Sequence, residues 1–357
     1  MSRTRPQSVA QEPRSAAAPA LVLDTRRLRS LYLDLLGRPP FAAERDLWLG
    51  RGARELLDAL LGSDAFWRHW FDEQLYYFML IDNFRPEGEG VEAIAAGLSA
   101  GKLSVRDALH RIALLPSFDL RNPGADTFVT VVMEQLVGLT VQVARRELEI
   151  GKAAYDGRPG LFLGANASSQ ADVVRVAAQH KDSMRHFVAR EYERVLGEPM
   201  ERRALAAAAR ELHKDPRRYL DVLRGWLLSD GYAARLERGK ELSNRLFVRA
   251  LFVDLLGREP SDDEAETLRG ALDGLGDSRP LRAVVVRMLL DSGRVPLPEK
   301  GAIADPTQWI AGEFRRLLGR EAGPDELKEF VTVFHEPDCV PALIVQVLLA
   351  DPAYHRY

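Results

Sequence analysis

The sequence predicts an all-α protein of tandem helical-bundle repeats with one glycine-rich loop excursion. Three observations predict it. One turn phrase recurs four times, with glycines at Gly37, Gly197, Gly257 and Gly319. The apolar residues before Gly37 and Gly257 fall at i, i+3, i+4, i+7 and i+8, the spacing of one helix face, and units two and four keep this register with Glu191 and Glu313 in the i+3 slot. Each phrase is followed by a further apolar segment that stops on a double-apolar pair and a short polar step, as in Leu60-Leu-Gly-Ser63 and Leu289-Leu-Asp-Ser292.

In chain order, residues 1–24 read as a disordered tail. They hold Pro6, Pro13 and Pro19, no apolar period, and Arg3, Arg5 and Arg14 against Glu12. The first unit follows, with Leu28, Leu31, Tyr32, Leu35 and Leu36 on one face before Gly37. The glycine fits a left-handed C′ position, and the following prolines keep the helix from continuing. Phe66 to Phe78 is dense in rings. Leu114-Leu-Pro-Ser-Phe118 closes a degenerate unit. Thr127–Leu148 is expected to be one buried helix, residues 151–169 a loop with four glycines, and Gln170–Val188 a helix.

The second, third and fourth units carry Glu191-Tyr-Glu-Arg-Val-Leu-Gly-Glu-Pro199, Leu251-Phe-Val-Asp-Leu-Leu-Gly-Arg-Glu-Pro260 and Glu313-Phe-Arg-Arg-Leu-Leu-Gly-Arg-Glu321. Their glycines are 60 and 62 residues apart, a period that implies repeated supersecondary units of about three helices. Ser261-Asp-Asp-Glu264 is a capping box that opens the second helix of the third unit. The expected organisation is a 1–24 tail, a 25–187 N-terminal helical domain, two middle repeats over 188–295, and a C-terminal repeat over 296–357 behind a proline-rich linker.

Composition excludes several classes. Hydrophobic residues are 46% and charged residues 28% of 357, the balance of a folded globular chain. The net charge of −3 provides no field for a phosphate backbone, so nucleic acid is not an expected partner. Cys339 is the single cysteine, which excludes an internal disulfide and any thiolate-held cluster. No apolar run approaches the ~20 residues of a membrane span. The N-terminus lacks a signal-peptide core, so the cytoplasm is the expected location.

Candidate chemistry is sparse. His69 and Glu73 stand at i, i+4 on one helix face, as do Asp182 and His186, and either pair reads first as a surface interaction and second as half of a metal site. His180 and His186, six apart, point to different sides of a helix. Gly157–Gly164 lacks the lysine and hydroxyl of a phosphate loop. Cys339 has no basic neighbour to activate it. The aromatic segment reads first as core, because rings fill gaps between helices. In its other reading, Trp67, Trp70, Phe71 and Tyr77 anchor a protein partner.

Two family resemblances add to this. The Leu-Gly-Arg-x-Pro turns and Gly101-Lys-Leu-Ser-Val-Arg-Asp-Ala108 resemble the repeat of phycobilisome linker polypeptides. Over residues 25–160, Arg29-Ser-Leu-Tyr-Leu-Asp-Leu-Leu-Gly-Arg-Pro-Pro40, Leu60-Leu-Gly-Ser63 and Trp67-Arg-His-Trp-Phe-Asp72 resemble the domain of unknown function that accompanies planctomycete-type c-type cytochromes. That family carries a Cys, Cys and His phrase where this chain has Val143, Arg146 and Glu147. The resemblance implies a retained scaffold whose redox ligands are lost, with no cofactor.

The expected function is a non-catalytic scaffold or adaptor whose repeats bind protein partners, copies of itself included. The alternative is a divergent redox-associated enzyme or accessory, with a pocket at His69 and Glu73 where the 67–78 helix meets the 127–148 helix. Nucleic-acid binding through the basic tail is a third possibility.

Overall fold

Each of the four phrases folds as a helix, a left-handed glycine and two further helices. The structure, a computed structural model, describes residues 22–80, 88 and 90–357. It is 70% helical, with twenty α-helices and one two-stranded sheet among the described residues. Unit one is α1 (Thr25–Leu36), α2 (Ala42–Trp48) and α3 (Ala53–Leu61). An intervening stretch holds α4 (Asp64–Met79), α5 (Val91–Ser99), α6 (Val105–Ile112), α7 (Pro116–Arg121), α8 (Gly124–Val132), α9 (Arg145–Tyr155) and α10 (Gln170–Gln179). Unit two is α11 (Lys181–Leu196), α12 (Arg202–Lys214) and α13 (Tyr219–Leu227), followed by α14 (Asp230–Arg238). Unit three is α15 (Asn244–Leu256), α16 (Asp262–Asp273) and α17 (Arg279–Asp291). Unit four is α18 (Pro306–Glu313), which runs on into a π-turn, then α19 (Pro324–His335) and α20 (Pro341–Ala350).

The turn is built the same way each time. Gly37, Gly197, Gly257 and Gly319 have φ of 68°, 72°, 66° and 66°. In three units the next residue is an arginine whose guanidinium forks onto a glutamate seven residues past the glycine. The shorter arms are Arg38–Glu44, Arg258–Glu264 and Arg320–Glu326, each 2.7 Å. The same glutamate accepts the backbone N–H that opens the next helix, at Phe41, Ser261 and Gly323. The arginine also lies over the ring five residues before the glycine: Tyr32, Phe252 or Phe314. A carboxylate at a helix N-terminus opposes the helix dipole, and a bidentate guanidinium fixes its rotamer. Unit two has Glu198 in the arginine position. There Glu201 caps α12 alone, accepting from the N–H groups of Arg203 and Ala204.

Two hydrophobic cores result. One gathers residues between Leu23 and Leu236; the other gathers Leu242 to Tyr357 and takes in Leu33 of α1. The expected boundaries therefore shift. Residue 187 lies inside α11, so 188 opens no domain. Units three and four share one core, so 295/296 separates no bodies. The expected tail mostly lies outside the described residues, but its last three are ordered: Leu23 is buried and Asp24 caps α1 by accepting from the Arg27 N–H at 2.7 Å. Helix α1 is also buried on more than one face. Every residue from Arg27 to Leu36 is inside, because one side packs in the first core and Leu33 in the second.

The intervening stretch departs from expectation where glycine and histidine break it. Thr127–Leu148 is two helices. Helix α8 ends in a π-turn over Met133–Val137, and Gly138 (φ 74°) stops it. Gln170–Val188 is also two helices, because His180 is extended and caps α11 by accepting from the Asp182 N–H. The glycine-rich excursion holds the end of α9 and a hairpin, β1 (Gly160–Phe162) paired with β2 (Ala165–Ala167). Gly151 is required inside α9: a Cβ there would stand 2.5 Å from Val129 Cγ1 and 2.9 Å from Phe162 Cε2.

Candidate functional site

The third residue before each turn glycine alternates in sign: Asp34, Arg194, Asp254, Arg316. The structure explains the alternation. Arg194 donates to the Asp34 main-chain oxygen and to Glu191 three residues earlier. Arg316 makes the matching pair of bonds to the Asp254 oxygen and to Glu313. Units one and two are thus joined by the same device as units three and four. The two aspartates are then spent between the cores. Asp34 accepts from Tyr232 at 2.8 Å, Arg235 at 3.2 Å and Tyr357 at 3.1 Å. Asp254 accepts both arms of Arg29, at 3.0 and 2.7 Å, and the Tyr354 hydroxyl at 3.0 Å. These residues lay outside the sequence-based candidates, although the sign alternation and the arginine–glutamate spacing were visible in the sequence.

The aromatic helix is core. Trp67, Trp70 and Phe71 are 8%, 1% and 1% exposed, so they are not surface anchors in this fold. Trp70 packs between Trp67, Phe187 and Tyr219. Tyr77 is half-buried, and its hydroxyl lies 3.0 Å from His186 Nε2. Around it are Arg190, 3.7 Å above the ring, and Gln135 of the π-turn, whose side-chain amide donates to the Tyr77 main-chain oxygen. Gln74 joins Arg190 to Glu191, and Tyr219 donates to Glu191 at 2.6 Å.

The titratable groups of this network are displaced. Burial alone would raise the Glu191 carboxyl, but Arg194, Arg190 and the Tyr219 hydroxyl hold it down at about 2. Burial and then Arg190 push His186 down to about 4. Burial pushes the Tyr77 hydroxyl up. Such a cluster is the usual mark of a site. Here the groups answer one another.

His69 lies elsewhere, wedged under the first turn. A Cβ on Gly37 would stand 2.4 Å from its Cε1. It is buried with no hydrogen bond to Nδ1. Burial, and then Arg249, Arg245 and Arg194, hold its pKa well below the ordinary value. Glu73 is 3.8 Å from its Nε2 and pairs with Arg245. The junction between α4 and the π-turn is thus made by Tyr77, His186 and Gln135 in place of His69 and Glu73. The charges that bear on His69 are the Glu73 carboxylate, which Arg245 already engages, and the guanidiniums of Arg249, Arg245 and Arg194. Among the described residues, no three of His, Cys, Asp and Glu stand together as a metal set. Asp182 pairs with His180 at 3.7 Å. Val143 and Arg146 are exposed, on the turn before α9 and in its first turn, and Glu147 accepts the Leu163 N–H of the hairpin at 2.6 Å. Cys339 is buried, which pushes its thiol up.

The outer surface differs between the two halves. The last helices of the units align on their double-apolar stops. Five residues and one residue before the first apolar of that pair, unit one exposes Glu55 and Ala59. Unit two has Val222 and Trp226 there, the latter packed on Tyr192. Units three and four expose Val284 with Met288 and Leu343 with Val347, all between 40% and 61% accessible. Helices α17 and α20, which carry them, pack against each other. Among the described residues no helix is long and apolar enough to cross a membrane. No protein-family model, curated protein or solved structure matches the chain.

Proposed function

We propose that this protein is a non-catalytic helical-repeat scaffold or adaptor that assembles with protein partners, copies of itself included. The observation that carries the reading is the pair of apolar steps on α17 and α20, at positions that unit one fills with Glu55 and Ala59. Exposed aliphatic residues at matched places on adjacent helices are what a protein partner covers. The polar residues of the turn motif support it from the other side. Asp34, Asp254, Glu191 and their arginines are used to join helices, which leaves them no free valence for a substrate. The resemblance to a cytochrome-associated domain fits as a retained scaffold, with Val143, Arg146 and Glu147 in place of redox ligands.

The test compares the full chain with Val284→Lys/Val347→Lys. Both sites are solvent-facing, so the variant should melt with the parent. Sedimentation velocity and affinity capture from the native host should show a complex for the parent and its loss in the variant. A complex that survives both lysines would remove this face from the proposal. Stoichiometric iron, copper or zinc in the purified parent would favour the redox-associated enzyme.

A further inference from the structure

Between α16 and α17, unit three leaves open a groove of about 460 Å³. Unit two fills the matching place with a side chain of its own. Trp226, one residue before the double-apolar stop, packs edge-on against Tyr192, five residues before the turn glycine, with ring centroids 5.3 Å apart. Unit three has Met288 and Phe252 at those two positions, and both line the groove. Met288 is 61% exposed, next to the exposed Val284, and Leu268 and Leu289 add to the apolar wall. An apolar groove between two helices is the kind of surface that a third helix covers.

Charge selects the helix. α16 carries Asp262, Asp263, Glu264, Glu266 and Asp273 against Arg269. α12, its counterpart in unit two, carries Arg202, Arg203, Arg210 and Lys214 against Glu211. Arg203, Arg210 and Lys214 are exposed, and their side chains make no ion pair or hydrogen bond among the described residues. The same holds for Asp263 and Glu266, of which Asp263 stands on the rim of the groove. Asp273 continues the acidic stripe, with one oxygen accepting from Asn244 at 2.8 Å and the other 3.7 Å from Arg269. Arg203, Arg210 and Lys214 are seven and four residues apart; Asp273, Glu266 and Asp263, taken backwards, are seven and three apart. Both spacings keep the charges on one helix face, over about 15 Å of axis. Antiparallel helices therefore set the three cations opposite the three carboxylates. Ala206 and Ala207, exposed on the basic face, let the α12 backbone come close to Met288 and Val284. We propose that the groove is covered by α12 of a second copy of this chain, laid antiparallel along α16. The inference rests on the scaffold reading of the α17 surface and names its partner. Each copy offers one basic and one acidic face, so the contact joins unlike surfaces and its strength depends on salt.

The test is sedimentation velocity of the full chain over a range of concentrations, at low and at high sodium chloride. The expected result is self-association that weakens as salt rises. Arg203→Glu/Arg210→Glu and Asp263→Lys/Glu266→Lys change exposed side chains without partners, so both variants should melt with the parent. Each variant alone should self-associate about a hundredfold more weakly or worse, because like charges then face each other. An equimolar mixture of the two should associate again, since the exchanged signs match across the contact. The proposal is overturned if the parent stays monomeric at low salt, if association survives either charge reversal, or if the mixture stays apart. A monomeric parent that still captures a host protein through Val284 and Val347 overturns this inference alone and leaves the scaffold reading standing.

Discussion

At Asp34, donors from both cores meet one carboxylate: Tyr232 and Arg235 from the first, Tyr357 from the second. Removing the charge strands a guanidinium that is 2% exposed. Asp34→Asn should therefore cost about 3–5 kcal/mol, read by urea unfolding, as breaking a buried pair does. A loss below about 1 kcal/mol would mean that solvent reaches Arg235. His186 makes a prediction about pH. Its folded pKa is about 4, below the ~6.5 of an unfolded histidine, so the unfolded chain binds the proton first. Stability is full above pH ~6.5 and falls as pH drops toward 4, by on the order of 2–3 kcal/mol from this residue. His69, displaced in the same direction, adds to the slope. His186→Gln should flatten the curve between pH 6.5 and 4; an unchanged slope would refute the assignment.

The turn is the unit of construction among the elements, and the glycines separate two of its demands. Gly257 has open space around it, so Gly257→Ala pays the left-handed backbone alone, about 1–2 kcal/mol. At Gly37 the added methyl also meets the His69 ring, so Gly37→Ala should cost clearly more. Equal losses in denaturant midpoint would show that His69 moves aside freely. The helices around 127–188 illustrate what local pattern misses. The apolar period runs through Gly138 and past His180 without a break. The chain breaks there because Gly138 leaves room for His186 Nδ1, 2.6 Å from where its Cβ would be, and because His180 serves as a cap. A residue's partner 48 positions away is invisible to a helical period.

Across the whole molecule, the halves are joined through α1. Leu33 packs in the second core, while Arg29 reaches Asp254, 225 residues away. A double-mutant cycle with Arg29→Met and Asp254→Leu should give a coupling of about 1–3 kcal/mol, since the pair is bidentate and buried. A coupling near zero would leave Leu33 as the join. Leu255, 3% exposed on the buried face of α15, tests the register itself. Leu255→Asp should unfold units three and four together, because they share one core; an unchanged melting curve would refute the shared register.

The helical class, the four glycine turns and the inward face of each turn helix were legible from residues alone, because helix periodicity and a left-handed glycine are local constraints. The aromatic helix was ambiguous by the same measure, since a ring-lined helix must be covered but its sequence does not say by what. Only the fold placed Trp67, Trp70 and Phe71 inside, and brought Tyr77 to His186 and His69 to Gly37. Those pairings span 32 and 109 positions of chain, and contacts at such separations follow from how helices stack.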